Sequence, residues 1–257
     1  MENQKPLILI SNDDGYDAKG IKALIESIRT LGEVLVFAPD GPRSGSAGAI
    51  TVSTPLTATL IQKEDNLTIY KCNGTPVDCI KLALNAYVPR TPNLILGGIN
   101  HGDNASVNVH YSGTMGIPIE GCMKGVPSIG FSVCDSSPDA DFSATIPIVR
   151  QICEKVLKEG LPDGVCLNIN FPKRNEFKGI RVCRQTSAHW GDEFIERTHP
   201  RGSKYYWPSG KFYNHEPDAE GTDRWALQNG YVSITPTKID VTAYEHMKSL
   251  ESFNMTL

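Results

Sequence analysis

Hydrophobic residues along the chain follow two alternating rhythms. Leu7–Ser11 (LILIS) is a short unbroken apolar run that ends in Asn12-Asp13-Asp14-Gly15. After it Ile21, Leu24, Ile25, Ile28 and Leu31 recur at three- and four-residue steps, which predicts a helix with one buried face, stopped by Gly32. Val34–Ala38 (VLVFA) is the next run, before Pro39-Asp40-Gly41. Strand, helix and strand in so short a stretch make a right-handed βαβ unit of a parallel sheet. Because the strands are apolar throughout rather than alternating, helices must cover both faces. The rhythm continues with a helix from near Thr75-Pro76 to Ala86 and a strand Leu94–Leu96 ending in Gly97-Gly98-Ile99-Asn100. A helix Thr114–Lys124, a strand Pro127–Val133, a helix Ile146–Leu157 and a strand Val165–Ile169 follow.

From about Cys183 the pattern changes. Trp190, Tyr205, Tyr206, Trp207, Phe212 and Tyr213 lie among charges and glycines, which reads as hairpins and long loops. Two-residue alternation marks a last strand at Tyr231–Thr235, and Thr242–Phe253 reads as a closing helix. The expectation is a single domain over 1–257: an α/β core over about 1–182, and an irregular, β-rich extension over about 183–257 used for subunit contacts.

Composition narrows the class. The apolar set makes up 40 % of 257 residues and charged residues 21 %, as in folded rather than disordered proteins. The net charge of −4 speaks against a nucleic-acid polymer as partner, but not against a single nucleotide. No run approaches the ~20 apolar residues of a membrane span. The opening MENQKPLILISNDDG is too short in its apolar part, and too acidic after it, for a secretory signal. Seven cysteines without a C-x-x-C pair suit reduced, buried thiols, so the expected location is the cytoplasm.

Parallel sheets bind ligands beyond the carboxyl ends of their strands. Three strand ends are polar and glycine-rich: Asn12-Asp13-Asp14-Gly15, the segment Asp40 to Ser46, and the segment Gly97 to Asn104. Together they offer carboxylates, hydroxyls and amides, an all-oxygen set suited to Mg²⁺ or Mn²⁺. Each feature also has a plainer reading. Asp14 could cap the following helix; Ser44 and Ser46 could be loop hydroxyls. Asn100 and Asn104 could serve left-handed backbone. Ser112-Gly113-Thr114 opens a helix, which suits either a phosphate or a simple cap, and Gly74-Thr75-Pro76 admits the same pair of readings. The aromatics Tyr205-Tyr206-Trp207 are core or interface residues, with base stacking as the sharper alternative. No G-x-S-x-G, Walker or Rossmann glycine motif is present.

The ordered set of segments resembles the SurE family of 5′/3′-nucleotidases. It comprises Ser11 to Gly15, Ala38-Pro39-Asp40 with Arg43-Ser44, Gly74 to Cys79, and Gly98-Ile99-Asn100 with Gly102 and Asn104. It continues through Tyr111 to Thr114, Glu120-Gly121, Leu167 to Asn170 with Pro172, Tyr206-Trp207, and Gly230 to Pro236. The resemblance implies a Rossmann-like core and a C-terminal extension exchanged between subunits of a homodimer or homotetramer. It further implies one divalent metal ion per subunit, Mg²⁺ or Mn²⁺, held by Asp13, Asp14, Ser44 and Asn100. Phosphate contacts would fall to Asn104, Ser112, Gly113 and Thr114. The implied reaction is hydrolysis of nucleoside 5′- and 3′-monophosphates, and sometimes of short polyphosphate. Metal-activated water would attack, with Asp13 or Asp14 as general base. Two segments depart from the family pattern. Asp103 stands where relatives often carry proline and adds charge near the phosphate; Ser46-Ala47-Gly48-Ala49 lacks a histidine common there. A nucleotide-sugar transferase and a non-catalytic nucleotide-binding protein are the competing classes.

Overall fold

The structure is a computed structural model that describes residues 4–256. Its core elements are β1 (Leu7–Ser11), α1 (Lys19–Ile28), β2 (Glu33–Pro39), a hairpin of β3 (Ala58–Glu64) and β4 (Leu67–Cys72), and α2 (Pro76–Leu82). They continue with β5 (Leu94–His101), α3 (Gly113–Met123), β6 (Ser128–Val133), α4 (Ile146–Glu159) and β7 (Val165–Phe171). Then come β8 (Ile180–Val182), β9 (Ala188–Gly191), β10 (Phe194–Thr198), β11 (Lys204–Pro208), β12 (Lys211–Asn214), α5 (Asp223–Gln228), β13 (Val232–Lys238) and α6 (Tyr244–Met247).

Nine strands form one sheet in the order β3-β4-β2-β1-β5-β6-β7-β13-β8. From β4 to β7 every pair is parallel; β3 and β13 join antiparallel. The unbroken apolar strands divide their residues between two layers, as the pleat requires. Ile8, Ile10, Val34 and Val36 bury against α1 and α4, while Leu7, Leu9, Leu35 and Phe37 bury against residues of α2 and α3. Full burial of each such side chain is worth about 1.5–3 kcal/mol. The α/β architecture with a mostly parallel, helix-flanked sheet is therefore as the apolar rhythm predicts.

Three local features differ from the sequence pattern. Helix α1 ends at Ile28, and Leu31 lies in the turn beyond it, donating its N–H to the Ile28 carbonyl at 2.8 Å. Gly32 is thus a close-approach residue rather than a helix stop: a Cβ there would sit 2.2 Å from the Pro6 carbonyl oxygen. The β3–β4 hairpin occupies a stretch where no periodicity stands out, because β3 is an edge strand with mostly exposed side chains. The closing helix is only the single turn of α6 followed by a 3₁₀ segment, Lys248–Phe253, and neither buries a residue. The extension also returns to the core, since β13 inserts between β7 and β8. Among the described residues no helix is long and apolar enough to cross a membrane. All seven cysteines are free thiols.

Candidate active site

The strand order reverses between β1 and β5: the chain continues to β2 on one side and to β6 on the other. The crevice beyond that switch point is where such sheets bind ligands. Asp13 and Asp14 follow β1 into it, and Asn100 lies at the end of β5. The Asn12 side chain shapes the first loop. Its Nδ2 donates to the Gly15 carbonyl at 2.9 Å, and its Oδ1 accepts from the Gly15 N–H at 3.2 Å. Gly15 has φ +105°, which a side chain rarely tolerates. The loop after β2 is tied on by the Arg43 N–H, which donates to the Asp13 carbonyl at 2.7 Å. The Ala47 N–H reaches the Tyr111 carbonyl at 3.2 Å. Loops far apart in sequence thus meet at one rim.

Asp13 sits at the centre. The Thr114 hydroxyl donates to Asp13 Oδ1 at 2.5 Å and lies 3.5 Å from Asn100 Oδ1, so a single hydroxyl spans the two side chains. Asn100 Nδ2 is held by the Gly102 carbonyl at 2.7 Å, which leaves its Oδ1 facing Thr114. Burial pushes the Asp13 carboxyl up to about 6; the Thr114 hydrogen bond partly offsets this, and neighbouring Asp14 adds to it. Burial also raises Asp14, against the opposing pull of His101. Asp14 Oδ2 is buried with no hydrogen-bond partner, and so is Ser46 Oγ. Helix α1 starts from Ala18 without a side-chain cap, so Asp14 is not its cap. A buried carboxylate beside a half-buried one, with no cationic side chain paired to either among the described residues, forms a site short of positive charge.

Helix α3 points its first turn at this place. Ser112 is the N-cap, its Oγ accepting from the Met115 N–H at 3.0 Å, which leaves the Gly113 and Thr114 N–H groups without intrahelical partners. A Cβ on Gly113 would lie 3.0 Å from Asp13 Cβ and 2.5 Å from Ser46 Oγ, so glycine permits this approach. By contrast, the start of α2 is closed by a capping box of Thr75 and Asp78, which answers the capping reading of Gly74-Thr75-Pro76.

Asn104 belongs to a buried amide lattice. Its Nδ2 donates to Ser132 Oγ at 2.7 Å, and its N–H to Asn170 Oδ1 at 2.8 Å. Asn168 Nδ2 donates to the Asn104 carbonyl, and Asn170 Nδ2 to Asn168 Oδ1. Asn168 and Asn170 are positioning residues that periodicity alone could not reveal. Asp13, exposed Ser44, Asn100, Asn104 and Ser112 line one cleft of about 290 Å³, together with Asn108, Tyr111 and Trp190. Asp14, Gly113 and Thr114 lie outside that lining. A larger cavity of about 750 Å³ shares Ser112 but holds a different set. There Glu120, buried, pairs with Lys81 at 2.9 Å. Tyr205, Tyr206 and Trp207 are on exposed β11, away from both cavities.

Asp103 needs a correction to its expected effect. Its charge is not left free near the site: Arg224 of α5 pairs with it at 2.8 and 3.1 Å. Nothing in the local sequence signals a partner 121 residues away.

Fold and site together define a Rossmann-like α/β protein with an oxygen-lined, acidic cleft at its switch point, faced by a helix N-terminus. Residues 8–192 match the family described as "Survival protein SurE". The chain belongs to the SurE family. It is 57 % identical over 255 residues to the 5′-nucleotidase SurE of Phocaeicola vulgatus, covering 99 % of both chains. The 5′-nucleotidase SurE of Bacteroides fragilis is 56 % identical, covering 99 % of this chain and 100 % of the relative. Among solved structures, the SurE protein of Aquifex aeolicus superposes with a TM-score of 0.83 at 37 % identity, over 96 % of this chain and 99 % of that one.

Proposed function

We propose that this chain hydrolyses nucleoside monophosphates, 5′ and also 3′, to nucleoside and phosphate. Short polyphosphate is a further substrate of the same chemistry. The observation that carries the reading is the meeting of Asp13 and Asn100 at one Thr114 hydroxyl, beside the open first turn of α3. The names of the relatives at more than half identity support it.

The buried Asp13 carboxylate, an unpartnered oxygen of half-buried Asp14 and an amide carbonyl suit a hard divalent cation, Mg²⁺ or Mn²⁺, one per subunit. No three His, Cys, Asp or Glu side chains gather round one point among the described residues, so amide and hydroxyl oxygens must complete the set. Asp13, Asp14, Ser44 and Asn100 are the residues that would hold it. When bound, such a cation supplies neutralising charge to the phosphoryl oxygens and lowers the pKa of water.

The chain's own groups do the rest. The Gly113 and Thr114 amides and the Ser112 hydroxyl hydrogen donate to the non-bridging oxygens, aided by the positive end of α3. The Thr114 hydroxyl hydrogen is committed to Asp13, so it fixes that carboxylate rather than the phosphate. Asn104, immobilised by Ser132, Asn168 and Asn170, offers its second Nδ2 hydrogen. One carboxylate of the pair, Asp13 or Asp14, takes the proton of the attacking water.

The test is phosphate release from a panel of nucleoside monophosphates with and without chelation. EDTA is expected to lower the rate by at least roughly a hundredfold and Mg²⁺ or Mn²⁺ to restore it. Undiminished release after chelation sinks the ligand assignment.

We also place the protein in the cytoplasm, on the strength of its seven free thiols. Assembly as a homodimer or homotetramer is the reading that suits the extension. Phe194, Tyr206 and Trp207 on the β10–β11 hairpin are exposed, as are Val241, Met247, Leu250 and Phe253 of the tail. Exposed large apolar side chains concentrated in the extension suit a subunit contact. Sedimentation is expected to give a dimer or tetramer, and Met247→Asp with Leu250→Asp to shift it towards monomer. A monomeric wild-type protein at micromolar concentration contradicts this.

A further inference from the structure

Trp190, on β9 of the extension, reaches the same cleft as Asp13, Asn100 and Ser112. Its indole is held by a closed circuit of contacts. Nε1–H donates to Asn108 Oδ1 at 2.8 Å, and Asn108 Nδ2 lies 3.3 Å from both the carbonyl and the carboxylate of Asp103. Asp103 is paired to Arg224, whose guanidinium stacks over the Phe212 ring at 4.3 Å. Phe212 meets Trp190 edge to face, with centroids 5.5 Å apart and planes at 72°, and so closes the circuit. Gly210 backs the ring: a Cβ there would sit 3.0 Å from Trp190 Cε3.

The circuit has two consequences. The one polar atom of the indole is already used, so Trp190 offers the cleft only its ring surface. That ring is also fixed before any ligand arrives, so little side-chain entropy is lost on contact. A partly exposed, immobilised aromatic suits a flat heteroaromatic ring; Tyr111, the other large aromatic of the lining, is exposed and has no such bracing among the described residues. We propose that Trp190 is the platform on which the base of the bound nucleotide stacks. This rests on the nucleotidase reading and names the part of the substrate that the strand-end oxygens do not address. Stacking does not read hydrogen-bonding edges, so all four common bases are accepted, purines ahead of pyrimidines. It also gives the Asp103–Arg224 pair a role, which is to hold Asn108 and Phe212 against the indole.

Two variants and two substrates test it. The substrates are AMP and ribose 5-phosphate, phosphomonoesters that differ by the base. Trp190→Leu keeps apolar bulk without a π face; Trp190→Phe keeps a ring without the Asn108 hydrogen bond. The ratio of kcat/KM for AMP to that for ribose 5-phosphate is expected to fall about tenfold or more in Trp190→Leu, mainly through KM. Trp190→Phe should recover most of it. Equal losses on the two substrates, or no change on either, overturn the proposal, because a wall residue cannot tell them apart. Binding is read separately from turnover. AMP should quench the tryptophan emission of the wild-type protein, ribose 5-phosphate should not, and Trp190→Phe should lose the quench. A quench that survives in Trp190→Phe overturns the platform even in an active enzyme. A quench confined to Trp190 in a protein that releases no phosphate overturns the nucleotidase reading and supports the platform.

Discussion

Asp13→Asn is expected to lower kcat/KM for a nucleoside monophosphate by roughly a hundredfold to a thousandfold, while making the metal-free protein more stable above neutral pH. The two effects have one origin. Asp13 is buried, and its carboxyl rises from the ordinary 3.8 to about 6. Between those values the folded chain keeps a proton that the unfolded chain has released. Stability from this group is therefore full below pH 3.8, falls as pH rises to about 6, and stays low beyond. At about 1.4 kcal/mol per pKa unit the penalty near pH 8 is of order 3 kcal/mol. Asparagine removes the charge, keeps the shape, and can still accept from Thr114. Calorimetry in EDTA should show the variant melting roughly 6–12 °C above wild type at pH 8, with little difference near pH 4. Added Mg²⁺ should raise the wild-type melting point more than that of the variant. Normal phosphate release from a folded Asp13→Asn protein would remove Asp13 from the chemistry.

Gly20→Ala is expected to destabilise the fold by at least about 3 kcal/mol, against the usual helix preference. In an open helix the exchange gains up to about 1 kcal/mol, because glycine is the poorer helix former. Here α1 lies so close to β5 that a Cβ on Gly20 would fall 1.9 Å from the Ile99 carbonyl oxygen. Neither backbone can yield cheaply, since Ile99 is itself fully buried and Asn100 follows it directly. The melting point should drop by roughly 6–12 °C, and the residual folded protein should lose activity through the displaced Asn100. A variant as stable as wild type would mean that α1 can shift from β5 without cost, and with it that the rim geometry is soft.

Both effects turn on how much of this molecule is local and how much is assembled. Strand β1, helix α1 and strand β2 follow from the spacing of apolar residues, because a buried face must repeat with the period of its own element. The polar ends of those strands were legible for the same reason, and Asp13 and Asn100 lie in the polar, glycine-bearing segments that end apolar runs, whereas Ser44, further along its loop, was singled out only by the family resemblance. The β3–β4 hairpin was not legible, since an edge strand with exposed side chains carries no burial signal. Nor was the turn after Ile28, where chain direction is set by the contact between Gly32 and Pro6.

What the amino-acid order determined alone is the succession of buried strands and covering helices, and the oxygen-rich residues that end them. Only the tertiary structure decided that Arg224 neutralises Asp103, that Asn168 and Asn170 lock Asn104, and that Trp190 closes the cleft from the extension. The physical reason is one of range. Periodic burial is written into neighbouring residues, whereas ion pairs, amide lattices and aromatic walls join residues tens to more than a hundred positions apart. Such contacts have no spacing to read until the chain has folded.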